Sequence, residues 1–295
     1  MSQRQPAIVT AALWVCALML VAFGLYHAYL TLTGLRPYDQ PLFDEPLFAE
    51  MSRVAADGGL LYTDQWDHKP PVLFWIMAVF IRVMGAQILT IKVATIAVNL
   101  AFVGVIAALS GALSGRRSAA WIGGLLAFAY AMWQGYLEGY NSVFIMSTFS
   151  AGAMLAAVVA RGRAPLLLLS GVLLAGAFFT KQVMVFEAFA TLGFAALYAP
   201  AGRRWEAALG VVFGGLLGVA WVAAYTALRG NLVDLWYGSF YTGLLYSFEG
   251  GSWHFNEEFS GFFQLYFVGQ TLPFIGLLLG WGLLAALMLL IYPGN

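Results

Sequence analysis

The chain has 295 residues, of which 62% are hydrophobic and only 9% are charged, and its formal net charge is zero. A soluble globular protein carries about 25% charged residues, so this composition excludes an ordinary water-soluble fold. The zero net charge argues against nucleic acid as a partner, and the single cysteine, Cys16, excludes a disulfide framework. We therefore predict an all-α, polytopic membrane protein with one transmembrane domain over residues 1–295.

Apolar segments long enough to cross a bilayer recur along the chain. A span needs about 20 apolar residues, and the candidates are 7–32, 88–113, 118–136, 142–160, 164–180, 182–200, 205–228 and 264–292. The first is too long for a signal peptide and lacks a small-residue cleavage site, so we expect a retained helix. The segment 71–85 is short, follows Pro70 and contains Arg82, which is more typical of a juxtamembrane interfacial helix.

This interpretation of 71–85 sets the predicted topology. With eight spans and a cytoplasmic N-terminus, the basic pairs fall in short cytoplasmic loops, as the positive-inside rule prefers. These pairs are Arg116/Arg117, Arg161/Arg163 and Arg203/Arg204. If 71–85 spans the membrane, an outward N-terminus also places the pairs inside, so charge alone leaves both topologies open. We favour eight spans because that arrangement gathers the polar residues on one face.

The acidic residues are unevenly distributed. The first long outer loop, 33–70, and the second, 229–263, together with Glu138, contain 12 of the 14 acidic residues. Loops are where charge is tolerated, which explains many of these acids without function. Long loops in compact proteins are usually functional or disordered, however, and these are too rich in aromatic residues for disorder. A functional site on this face is the stronger expectation.

A short helix is predicted in the first loop. Asp44 or Glu45 suits its N-cap and Pro46 its first turn, while Gly58 and Gly59 end it. Its apolar face, with Leu47, Met51 and Val54, suits a helix on the membrane surface. The two carboxylates at its start are explained either as capping groups or as a general base whose pKa is raised near an apolar wall.

Three lysines are predicted at the same face. Pro70 restricts Lys69 to an extended backbone beside the interfacial helix, Lys92 enters the next span, and Lys181 ends another. Lysines near helix ends commonly extend towards the lipid headgroups. Three of them beside a pair of carboxylates also suit an anionic headgroup such as a phosphate.

These residues carry a resemblance to a known family. The Asp44–Glu45 pair, Tyr62, the run His68-Lys69-Pro70-Pro71, Gly85 and Thr180-Lys181 resemble polytopic glycosyltransferases of the GT-C fold. The similarity covers roughly residues 1–200 and points to the protein O-mannosyltransferase and lipid A aminoarabinose transferase relatives. Most of these relatives are longer. In them, the segment after Lys-Pro-Pro is a juxtamembrane helix, which agrees with eight spans.

The resemblance implies inverting transfer of a sugar from a polyprenyl-phosphate lipid to a hydroxyl of a lipid, glycan or protein acceptor. The active face would be extracytoplasmic. The Gly- and Ala-rich helices, independently of the resemblance, suggest a bacterial source and therefore an inner membrane. Asp44 matches the catalytic base of the family, with Glu45 beside it, and Glu138 or Asn141 lies where relatives carry a second acid. Lys69 matches the phosphate-binding lysine, with Lys92 and Lys181 as further candidates. Tyr62 and Trp253 are candidate substrate contacts, and His68 with His254 is a weak candidate for a divalent metal site.

Two features and two other functions remain open at this stage. The aromatic segment from Trp236 matches no motif and suits either a substrate or an interface belt. Glu187 lies within a predicted span and is a functional candidate that could pair with Lys181 or Gln182. A transporter or flippase is disfavoured because there is no internal repeat and the polar residues avoid the midplane. A transferase-like structural subunit of a larger membrane complex is the other alternative.

Overall fold

The structure, a computed structural model, describes residues 45–138 and 140–242, together with positions 18, 22 and 25. The chain divides into two units, Met1–Phe240 and Tyr241–Asn295. The second unit is almost entirely outside the described residues. Within the described part of the first unit the fold is helical and contains no β-sheet, which confirms the all-α prediction.

Nine α-helices are described along the chain. They are α1 (Glu45–Ala56), α2 (Val72–Met84), α3 (Ile88–Ser114), α4 (Arg117–Glu138), α5 (Ser142–Ala160), α6 (Ala164–Phe178), α7 (Val185–Tyr198), α8 (Arg204–Leu228) and α9 (Leu232–Leu235). The six spans predicted between residues 88 and 228 each correspond to a helix whose ends lie within three residues of the prediction. The first and last predicted spans, 7–32 and 264–292, lie outside the continuously described ranges.

Three described helices are long and apolar enough to cross a bilayer. They are α3 with 27 residues, α5 with 19, and the 28-residue stretch Ala201–Leu228, which combines a 3₁₀ turn with α8. Large apolar side chains on α8 are more than half exposed, including Leu209, Phe213 and Leu216. Exposed apolar surface on such helices is the normal condition in lipid, so the chain is an integral membrane protein. The total of eight spans stays a prediction.

Helices α6 and α8 approach each other closely through glycine. A Cβ atom on Gly171 would overlap the carbonyl oxygen of Val211, and one on Gly214 would overlap the carbonyl oxygen of Leu168. Small residues allow helix backbones to pack directly in membrane proteins, where lipid supplies no hydrophobic drive for association. This contact therefore depends on the absence of side chains at these positions.

The basic turns meet at one end of the helix bundle. Gly162, in the turn between α5 and α6, lies against Pro200, in the turn between α7 and α8. These turns carry Arg161, Arg163, Arg203 and Arg204, which are two of the three basic pairs. The location of this end on the cytoplasmic face stays a prediction.

Helices α1 and α2 pack side by side. They lie near the end of the bundle that is opposite to the basic turns. The Phe48 and Phe74 rings lie 6.0 Å apart, and Arg82 Nε donates to the carbonyl oxygen of Ala56 at 2.9 Å. An arginine that satisfies the last carbonyls of a helix also complements the helix dipole, so Arg82 has a structural role. At 13 residues, α2 is about 20 Å long, which is shorter than the roughly 30 Å hydrocarbon core.

The observed α1 confirms the predicted helix, but the residues that it buries differ in part from the predicted apolar face. It begins at Glu45 and ends before Gly58, whose φ of +87° favours glycine. The side chains buried against the protein are Phe48, Met51 and Ser52. Leu47 is 38% exposed, so Leu47 and Met51 do not share one environment. The helix is oriented by packing against α2, which residue spacing alone does not show.

Candidate functional site

The loop between α1 and α2 is the centre of the candidate site, and Tyr62 organises it. Tyr62 has a left-handed backbone, with φ of 71°, and its N–H donates to the carbonyl oxygen of Gln65 at 2.7 Å. The buried side chain reaches across the loop, where its hydroxyl donates to the carbonyl oxygen of Lys69 at 2.7 Å. Burial raises the pKa of Tyr62 well above its ordinary value. The phenol is therefore a neutral donor that fixes the backbone at Lys69.

Asp67 is buried in the same loop, with 1% of its side chain exposed. Its Oδ1 accepts the backbone N–H of Lys69 at 3.0 Å, and its buried Oδ2 has no hydrogen-bond partner among the described residues. Burial raises the pKa of Asp67, while the backbone N–H groups of Lys69 and His68 and the Lys69 ammonium group act in the opposite direction. This carboxyl group is costly to bury, which marks it as more than a solvated loop charge.

The side chains of Asp67, His68 and Lys69 form a continuous polar row. Nδ1 of His68 lies 3.2 Å from Oδ1 of Asp67, and Nε2 of His68 lies 2.9 Å from Nζ of Lys69. His68 is 32% exposed at its side chain, and Lys69 is half-buried. The row therefore leads from a buried carboxyl group to a partly accessible cation.

A late segment of the chain holds the same loop. The π-helical turn Trp236–Tyr241 brings the Ser239 hydroxyl within 3.4 Å of the carbonyl oxygen of Lys69, to which it donates. Gln182 Nε2 donates to the carbonyl oxygen of Ser239 at 2.7 Å, and the Val72 N–H donates to the carbonyl oxygen of Phe179 at 2.9 Å. The turn that carries Lys181 is thus joined to the residue that follows the loop between α1 and α2, hereafter the Lys69 loop, and to the late segment that supports this loop.

Further contacts connect the loop to the start of the late segment. Asn231 Nδ2 donates to the carbonyl oxygen of Leu61 at 3.1 Å, and the Thr63 hydroxyl donates to Asp234. Arg229 donates to the carbonyl oxygen of Gly58. The chain between Arg229 and Ser239, which includes the start of the aromatic segment that matched no motif, therefore supports the Lys69 loop.

Glu45 connects α1 to the turn between α4 and α5. Its Oε1 accepts the backbone N–H of Tyr140 at 2.7 Å, and the buried Tyr140 hydroxyl donates to the carbonyl oxygen of Leu73 at 2.9 Å. The next residue, Asn141, caps α5 by accepting the Val143 N–H at Oδ1. Glu138 is the last residue of α4, so it ends two residues before Tyr140.

The structure brings several predicted site residues together. Tyr62, His68 and Lys69 share one loop. The turn that contains Lys181 is hydrogen-bonded to Ser239, which supports this loop. Glu45 and Asn141 flank Tyr140. Lys92 is half-buried in the second turn of α3, and among the described residues no hydrogen bond or ion pair joins it to this loop. Asp44, Trp253 and His254 lie outside the described residues.

Sequence reasoning missed three residues of this region. Asp67 is one of the acids of the predicted outer loop 33–70 and was not predicted as a site residue, although its place directly before His-Lys-Pro-Pro was a usable signal. Tyr140 and Ser239 carried no such signal, because their partners, Glu45 and Lys69, lie 95 and 170 residues away. Glu187 lies in the first turn of α7, and its buried Oε2 has no partner in the described part of the chain. Gln182, a predicted partner for it, instead donates to Ser239.

His68 fits a divalent metal poorly. Its two ring nitrogens lie beside Asp67 and Lys69, and an ammonium group 2.9 Å from Nε2 competes with a cation for the same lone pair. Among the described residues, no group of three or more His, Cys, Asp or Glu side chains comes together.

Comparison with known proteins assigns the family. Residues 68–226 match the family described as dolichyl-phosphate-mannose-protein mannosyltransferase, and this match covers more than half of the 295 residues. It begins at His68, so it contains Lys69, α2 to α7 and most of α8, while Tyr62 and Asp67 lie just before it. No curated protein and no solved structure matches the chain. The chain belongs to the dolichyl-phosphate-mannose-protein mannosyltransferase family and is a membrane glycosyltransferase of the GT-C type.

Proposed function

We propose that this protein transfers a sugar from a polyprenyl-phosphate lipid to an acceptor hydroxyl, with inversion at the anomeric carbon. The reaction takes place on the extracytoplasmic face of a bacterial inner membrane, and the acceptor is a lipid, a glycan or a protein. Family membership supports the reaction class. The observation that carries the finer proposal is the Lys69 loop, where a partly accessible ammonium group stands on a backbone held by Tyr62, Asp67 and Ser239.

The chemistry needs a cation at this place. As the bond between the anomeric carbon and the phosphate oxygen breaks, the lipid phosphate leaves with the bonding electron pair and gains negative charge. A positioned cation stabilises that charge, and it does so best when it is already oriented before the reaction. We assign this role to Lys69, with Lys181 and Lys92 as further phosphate contacts.

The acceptor side needs a base. Asp44 removes the proton from the acceptor hydroxyl as its oxygen attacks the anomeric carbon, so the new glycosidic bond forms while the phosphate bond breaks. Glu45, next in the sequence, holds the start of α1 at Tyr140 and serves this base as a positioning residue. Glu138 is the candidate second acid, and Tyr62, Asn141 and Trp253 are candidate substrate contacts.

The test is transfer activity of the full chain in nanodiscs. A panel of radiolabelled polyprenyl-phosphate sugars is supplied with membrane acceptors, and wild type is compared with Asp44→Asn and Lys69→Ala. Asp57→Asn is the matched control, because Asp57 is an exposed acid of the same loop that pairs with Arg53. We expect loss of transfer in both test variants and unchanged transfer in the control.

Two results would contradict the proposal. Transfer by Asp44→Asn at the wild-type rate would place the base elsewhere. Transport of a lipid-linked sugar across the bilayer, with no sugar transferred from any donor in the panel, would favour a flippase. Thermal unfolding of each variant shows whether lost transfer reflects lost chemistry or lost folding.

A further inference from the structure

The geometry of the Asp67–His68–Lys69 row determines which group donates and which group accepts at each contact. Oδ1 of Asp67 already accepts the backbone N–H of Lys69 at 3.0 Å, and it also lies 3.2 Å from Nδ1 of His68. Imidazole is a stronger base than a carboxylate, so the proton between these two groups belongs to Nδ1. A proton on the ring nitrogen that faces a carboxylate is also favoured electrostatically.

The other ring nitrogen then faces Lys69. Nε2 of His68 lies 2.9 Å from Nζ of Lys69, and two donors cannot face each other at hydrogen-bond distance. An amine is a stronger base than an imidazole, so the proton across this contact belongs to the lysine. The row therefore contains a neutral imidazole with its proton on Nδ1 and a lone pair on Nε2 that accepts from the ammonium group.

We propose that His68 is a positioning residue for Lys69, held in the Nδ1–H tautomer by Asp67 so that Nε2 orients the ammonium group. One of the three N–H bonds of Lys69 is directed to His68, and the other two are available to an anionic ligand. This inference rests on the proposed function for the identity of that ligand, a polyprenyl phosphate. The tautomer of His68 and its contact with Lys69 do not depend on whether the protein transfers a sugar.

The arrangement has a physical advantage over a free lysine. A lysine side chain loses rotamer entropy when it is fixed, and the His68 contact supplies this ordering before the ligand arrives. The buried position of Asp67 protects the other end of the row, because water has little access to the Asp67 carboxyl group. Preorganised donors of this kind stabilise charge that develops on a leaving group.

The first experiment reads the tautomer directly. The chain contains three histidines, His27, His68 and His254, so ¹⁵N-histidine labelling in nanodiscs gives few signals, and His68→Gln assigns that of His68. We expect a protonated Nδ1 and an unprotonated Nε2 at neutral pH. In Asp67→Leu, which keeps bulk and removes the acceptor, we expect the signal to move towards the Nε2–H tautomer. An Nε2–H or doubly protonated ring in wild type would overturn the inference.

The second experiment measures binding of a polyprenyl monophosphate in nanodiscs. His68→Gln keeps an acceptor near the position of Nε2, whereas His68→Leu has none. We expect His68→Leu to bind about tenfold more weakly, which is the effect of losing one hydrogen bond to a charged group, and His68→Gln to bind within about threefold of wild type. Equal weakening in both variants, unchanged binding by His68→Leu, or no binding by wild type would overturn the proposed role.

The two proposals fail in different ways. Wild type that binds the polyprenyl phosphate and shows the Nδ1–H tautomer, but transfers no sugar, contradicts the proposed function and leaves the positioning role intact. Wild type that transfers sugar while His68 shows the other tautomer contradicts only the positioning role.

Discussion

The backbone N–H of Tyr140 donates to Oε1 of Glu45 at 2.7 Å, although the two residues are 95 positions apart. The Tyr140 ring is buried, and its hydroxyl donates to the carbonyl oxygen of Leu73. One residue in the turn between α4 and α5 thus holds the start of α1 and the start of α2. These helices frame the loop that carries Lys69, so the turn sets the position of the site.

Glu45→Ala leaves the Tyr140 N–H without its acceptor. An unsatisfied buried donor costs about 1–3 kcal/mol, so we expect a lower free energy of unfolding and a lower thermal midpoint in detergent. Glu45→Gln keeps a carbonyl oxygen and should retain most of the stability. If Glu45→Ala unfolds at the same temperature as wild type, the contact does not hold α1.

Tyr62→Phe removes the hydroxyl that donates to the carbonyl oxygen of Lys69. The loss of one buried hydrogen bond costs about 1 kcal/mol, and the Lys69 backbone is left with the longer contact from Ser239. We expect a small drop in thermal midpoint and weaker binding of polyprenyl monophosphate. Tyr198→Phe on α7 is the control, and an equal effect on binding from both variants would argue against a specific role for Tyr62.

Gly171→Ala tests the close approach of α6 and α8. The added methyl group would overlap the backbone of Val211 and Gly215, and overpacking costs about 1–3 kcal/mol. Gly193→Ala on α7 is the matched control, because a methyl group there meets no atom within 4 Å. We expect a lower thermal midpoint for Gly171→Ala and no loss for Gly193→Ala. Similar midpoints for the two variants would show that the helices separate easily.

The pH dependence of stability tests the buried state of Asp67. Burial raises its pKa in the folded protein, so its contribution to folding is present below the ordinary pKa of an aspartate and is lost as pH rises through the raised value. The groups that face Asp67 are His68, Lys69 and Tyr62, and all remain in Asp67→Asn. As the pH rises above about 4, the ordinary pKa of aspartate, the thermal midpoint of wild type should fall relative to that of Asp67→Asn. If the difference in thermal midpoint between the two proteins does not change with pH, burial does not destabilise the charged form of Asp67.

Much of the helical architecture could be predicted from local sequence. The apolar segments predicted α3 to α8 within three residues at each end, because a helix that faces lipid must be apolar along its whole length. Glycine at position 58 and Pro46 marked the ends of α1 through backbone geometry that depends on these residues alone. The arginine pairs predicted which turns share an end of the bundle, and the spacing around His-Lys-Pro-Pro indicated the family.

The candidate site could be predicted only in part from the sequence. Lys69, His68 and Tyr62 lie in one short segment whose motif carries the family resemblance, so the sequence alone predicted them as candidates. The burial of Asp67, the support of Lys69 by Ser239 and the Glu45–Tyr140 contact depend on which helix ends meet in space. Composition and periodicity report which faces are apolar, but not which residues meet across 95 or 170 positions of chain. Only helix packing decides those contacts, because close approach of the backbones at positions such as Gly171 sets the relative positions of the helices and their connecting loops.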